Sequence, residues 1–155
     1  MKALKYYLPF LFIFFFGFSG QAQKDLNINR IFEGIGKQKG TLIQLGPDVL
    51  NTHTKILLYK SLRIKADADI LESIEEALRD DTQSAEVLLS STQEEEGSRT
   101  VHYELTKENN PLFHEYILFN YKNGYISLVY IKGDFPSKDL KKELDKLKDL
   151  FIKLK

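Results

Sequence analysis

The sequence predicts an α+β fold: an antiparallel sheet of about five or six strands, with one inserted helix and one C-terminal helix packed on it. Three observations carry this expectation. Asn123-Gly124 separates two apolar runs, the mark of a two-residue type I′ hairpin. Two segments, within 68–80 and 136–154, repeat apolar residues at helical spacing. Between those helices four strand-like runs follow one another directly.

The 155 residues suit one domain. Lys2 and Lys5 precede an apolar run from Tyr6 to Phe18, and small residues follow through Ala22. A basic start, about a dozen apolar residues and a small-residue end make a secretory signal peptide. A spanning helix needs about 20 apolar residues, so the run reads as a cleaved leader and leaves no stable membrane span. Cleavage after Ala22 divides the chain into a signal peptide, 1–22, and a single α+β domain, 23–155. The address is periplasmic or secreted. The chain has no cysteine, which excludes disulfides, thiolate metal sites, thiol nucleophiles and a lipoprotein anchor.

Residues 23–40 carry Leu26, Ile28, Ile31 and Phe32 before a Gly-rich stretch, which predicts one helical turn and then a loop. Thr41–Leu45 is a short strand closed by Gly46-Pro47. Residues 55–66 form a longer strand, with Leu58, Leu62 and Ile64 on one parity and Leu57 and Tyr59 on the other. The helix over 68–80 places Ile70, Leu71, Ile74, Ala77 and Leu78 on one face. Asp69 and Glu72 resemble a capping box. Asp80-Asp81 would oppose the dipole of the last turn, so the helix should stop there.

Four strands follow, over 84–92, 99–107, 113–121 and 125–132. The second splits cleanly, with Val101, Tyr103 and Leu105 facing inward and Thr100, His102, Glu104 and Thr106 facing water. Asn109-Asn110-Pro111 marks a loop. The Asn-Gly turn then sets Tyr121 opposite Ile126, Phe119 opposite Leu128 and Ile117 opposite Tyr130. Leu118 opposite Val129 and Tyr116 opposite Ile131 occupy the other surface. Both surfaces are apolar, so these two strands are central, or their second face needs a cover. Gly133 ends the sheet. Pro136 and Ser137 open the last helix, striped by Leu140, Leu144, Leu147, Phe151 and Leu154.

Chemical motifs are sparse. G-x-S-x-G and S-x-x-K do not occur. Of the three histidines, His102 shares a strand face with Glu104, and His114 lies on the next strand. These three form a candidate polar cluster, with an ordinary wet strand face as the plainer reading. Gly34–Gly40 superficially resembles a phosphate loop but lacks the G-K-[ST] ending. No cofactor is therefore expected. Equal numbers of basic and acidic residues remove the case for a nucleic-acid partner. Neutrality nevertheless hides polarity: residues 67–96 hold eleven acids against Arg79 alone.

The order of features resembles a family of small exported Gram-negative bacterial proteins classed as domains of unknown function. The residues that carry it are a leader ending in Ala22-Gln23, then Leu26–Gly34 (L-x-I-x-x-I-F-E-G), Tyr59-Lys60-Ser61-Leu62, the acidic helix and Val129–Gly133. The resemblance spans nearly the whole chain and implies an exported α+β domain. It brings no catalytic or binding residues. The stretch 34–54, with Gly46-Pro47 and His53, departs from the pattern.

These readings lead to a non-enzymatic interaction domain that binds a protein partner or a second copy of itself. The expected surface is the second face of the hairpin: Tyr116, Leu118, Val129 and Ile131. The alternative is a small-ligand pocket or weak hydrolase between sheet and helix, drawing on Tyr103, His102, Glu104 and His114.

Overall fold

The computed structural model describes residues 26–51, 53–84, 86–95, 97–106 and 113–153. The leader, Leu154 and the Asn109-Asn110-Pro111 loop lie outside the described residues.

A helical segment, α1, opens with Ile28–Ile31, widens into a π-helix over Phe32–Gly36 and closes with Lys37–Lys39. Strand β1 (Thr41–Leu45) and a short helix α2 (Pro47–Leu50) lead to β2 (Ile56–Lys65). The long helix α3 (Ala68–Ser84) precedes β3 (Glu86–Glu95), β4 (Ser98–Thr106), β5 (His114–Lys122) and β6 (Tyr125–Gly133). A 3-10 turn over Ser137–Asp139 starts the terminal helix α4 (Leu140–Lys153).

All six strands form one antiparallel sheet in the order β1-β2-β6-β5-β4-β3. The α+β class and the antiparallel sheet therefore stand as the sequence predicts. Asn123 and Gly124 both take positive φ, 53° and 75°, as a type I′ turn requires. The turn imposes the expected register, with Tyr121 opposite Ile126, Phe119 opposite Leu128 and Leu118 opposite Val129. β5 and β6 are the two central strands of the sheet.

Each face of the sheet buries its own core. On the first, Ile28, Ile31 and Phe32 of α1 and Ile70, Ile74 and Ala77 of α3 pack on Leu62, Val101, Ile117, Phe119 and Leu128. On the second, Leu50, Phe135, Leu147 and Leu150 pack on Ile56, Tyr116 and Ile131. A shift in the β2–β6 pairing between Ile56 and Leu58 turns Ile56 onto the second face beside Tyr59.

Four local expectations change. The segment after Leu26 is helical through Lys39, because three anchored apolar side chains hold it on the sheet. Gly36 serves packing: a Cβ there would lie 3.0 Å from the Ile31 carbonyl oxygen and 3.3 Å from the Leu62 methyls. Helix α3 is capped by Asp67, whose Oδ1 receives the Ile70 N–H at 2.8 Å, and not by Asp69. It also runs past Asp80-Asp81 to Ser84. Finally, β3 continues to Glu95, so the turn into β4 is tighter than expected.

Candidate functional site

The second face of the hairpin is not open. Tyr116 and Ile131 are 1% and 0% exposed, beneath Phe135 and the terminal helix. Leu118 and Val129 are half-buried at the margin of the same cluster. The expected interaction surface is corrected at Tyr116 and Ile131, which the apolar stripe of α4 and Phe135 bury in the chain's own core, while Leu118 and Val129 keep part of their surface. Tyr116 is further engaged by donating its hydroxyl to the Phe135 carbonyl at 2.7 Å. Burial first, and then the Glu104 carboxylate, push its phenol pKa well above the ordinary value.

The polar cluster forms only in part. The β4–β5 register sets Glu104 opposite Tyr116, with His114 two positions earlier on the same face. His114 Nδ1 donates to Glu104 Oε1 at 2.9 Å, and its ring stacks on Tyr116 at 6.3 Å between centroids. With Glu104 ionised, a carboxylate can only accept, so the imidazole Nδ1 carries the shared hydrogen. Glu104 is buried, contrary to the wet face expected of it, with His114 and Tyr116 of the neighbouring strand against it. His102 is exposed opposite Leu118 and takes no place in the pair. Among the described residues, no group of three histidine or acidic side chains is placed to hold a metal ion.

A cleft of about 250 Å³ lies between α3 and strands β4 and β5 on the first face. Leu78, Val101 and Phe119 make its floor. Arg99 donates to Glu75 at 2.6 Å across its rim, beside Arg79 and Tyr103. Tyr103 is thus separated by the thickness of the sheet from His102, Glu104 and His114. The pocket imagined from those four residues divides into two unrelated places, since strand neighbours alternate faces.

Three buried carboxylates went unnoticed at the sequence level. Asp81 accepts the backbone N–H groups of Asn27 and Ile28. Glu143 accepts the Lys55 N–H at 2.8 Å and the Lys146 ammonium at 2.9 Å. Glu115 accepts the Tyr130 hydroxyl at 2.8 Å. A signal for the first two was present: each acid falls on its helix's apolar stripe, Asp81 after Ala77 and Leu78, Glu143 between Leu140 and Leu147.

The edges of the sheet differ in chemistry. β1 reads Thr-Leu-Ile-Gln-Leu, with no charge and no proline, and Ile43 is 40% exposed. β3 begins at Glu86 and ends in Glu94-Glu95, and its pairing with β4 shifts between Val87 and Leu89.

These features define an α+β protein with an open antiparallel sheet, covered on both faces by its own helices. Residues 15–144 match the family of unknown function DUF6108, and the chain belongs to that family. The comparison with curated proteins finds no match. Among the described residues, no helix is long and apolar enough to cross a membrane.

Proposed function

We propose that this is an exported, non-enzymatic interaction domain of a Gram-negative bacterium, which engages a protein surface through the β1 edge of its sheet. The observation that carries the reading is the uncharged edge strand with Ile43 half-exposed on it. Edge strands present unpaired N–H and C=O groups, and proteins ordinarily guard them with charge, proline or a bulge. β3 has acids and a bulge; β1 has none of these devices. An extended partner segment could add there as a further strand. The basic, apolar leader of residues 1–22 supports export to the periplasm or beyond.

Two measurements test this. A photo-reactive residue at position 43, activated in intact cells, should yield protein adducts that the same residue at exposed Lys65 does not. N-terminal sequencing of the recovered protein should begin at Gln23. No adduct from position 43 defeats the edge, and a full-length cytosolic chain defeats export.

A second reading, a small-ligand site, has the cleft beneath α3 in its favour, with its apolar floor and the Tyr103 hydroxyl. Its volume lies below the roughly 300 Å³ at which pockets for drug-sized ligands begin. The first reading therefore leads.

A further inference from the structure

We propose that the partner of β1 is β1 of a second copy, paired antiparallel about a two-fold axis through Ile43 to continue the sheet across both molecules. This rests on the interaction reading above and names its partner.

The argument begins with the unused half of the strand. β1 pairs with β2 from Thr41 opposite Arg63 to Leu45 opposite Tyr59. Among the described residues, no backbone hydrogen bond leaves Thr41–Leu45 on the other side. In an antiparallel ladder, alternate residues direct both backbone groups to the same neighbour. Two copies can therefore pair only in registers that match outward residues with outward residues. Such registers place the two-fold axis on a residue and never between two. Of these, the axis at Ile43 alone uses all five residues: Thr41 opposite Leu45, Leu42 opposite Gln44 and Ile43 opposite itself.

The side chains suit that register. No position brings like charges together, because the strand has no charge. Ile43 meets Ile43 of the second copy, and a β-branched pair is favourable across strands. The same operation on β3 would bring strand ends carrying Glu86 and Glu94-Glu95 against one another across a shifted ladder, so that edge resists self-pairing. Pairing β1 with β3 instead would be head-to-tail and could not close as a two-fold dimer of that one contact. The two-fold β1 contact closes on itself and hides the edge that, among the described residues, carries no charge, proline or bulge.

The test uses the purified mature protein. Sedimentation across a concentration series should show a reversible dimer. Ile43→Lys should weaken it at least about tenfold, because two ammonium groups would then oppose each other at the axis. Ile43→Val should retain it, and circular dichroism should stay unchanged in both. The chain has no cysteine, so Ile43→Cys under mild oxidation can form a disulfide only between two copies. It should give a covalent dimer, whereas Val49→Cys, of similar exposure at 38%, should not. A dimer that survives Ile43→Lys, with no disulfide at position 43, overturns the β1 pairing while leaving an interaction domain. A strict monomer that still forms adducts with another protein from position 43 overturns self-pairing alone. A strict monomer with no adduct overturns both readings.

Discussion

Asp81, close to the end of the long helix α3, receives the backbone N–H of Ile28 through Oδ2 at 3.0 Å, and its other oxygen takes the Asn27 N–H. One buried carboxylate thus caps the first turn of α1 from a position 53 residues away in the chain. The first N–H groups of a helix have no intrahelical partner, and a buried one without a partner is costly.

Asp81→Ala should therefore destabilise the protein by about 2–3 kcal/mol, since it strands buried donors at one site. Urea unfolding measures this. Proteolysis should show α1 released before the sheet, because α1 is held by this cap and by Ile28, Ile31 and Phe32. A loss under about 0.5 kcal/mol, the scale of an ordinary surface change, would contradict the assigned role.

Glu143 ties the terminal helix to the start of β2. Burial pushes its carboxyl pKa upward, but the hydrogen bonds from the Lys146 ammonium and the Lys55 N–H, with the charges of both lysines, outweigh that and hold it below 4.5. A carboxyl held lower in the folded chain contributes stability above its unfolded pKa and loses it as pH falls through the folded value. At pH 7, Glu143→Gln should cost about 1–2 kcal/mol. The gap from wild type should shrink steadily as pH drops below 4.5. Chemical unfolding at stepped pH gives the readout, and a pH-independent gap would rule out the ionised carboxylate as the source.

Gly133, the last residue of β6, is set by contact. A Cβ there would lie 2.3 Å from Phe135 Cε1 and 2.8 Å from the Lys55 carbonyl oxygen. The Phe135 ring stacks on Tyr116 at 5.3 Å, so it cannot retreat without opening the second core. Gly133→Ala should cost about 1–3 kcal/mol through overpacking. Gly34→Ala, in the π-helical turn of α1 with nothing within 4 Å of the added carbon, should be neutral or stabilise by about 0.5–1 kcal/mol. Thermal unfolding of the two variants should move in opposite directions or, at the least, separate clearly.

Local chemistry was enough to read the hairpin, the strand runs and both amphipathic helices. An Asn-Gly turn specifies its register without help from the rest of the chain, and every pair named from Tyr116–Ile131 to Tyr121–Ile126 follows from it. Apolar stripes at helical spacing likewise announce which face of α3 and α4 will be buried. Which surface each stripe would meet depended on the packing of the complete chain. The doubly apolar hairpin required two covers, but only the assembled fold lays α4 over Tyr116 and Ile131 and so turns an apparent binding surface into a second core. The same holds for Asp81 and Glu143, acids on apolar stripes whose partners lie 53 and 88 residues away. Periodicity reports that a side chain faces inward, whereas hydrogen-bond complementarity at such separations exists only once distant segments meet. The edge strand completes the contrast. Its five uncharged residues are plain in the sequence, yet the order β1-β2-β6-β5-β4-β3 alone leaves them on the outside.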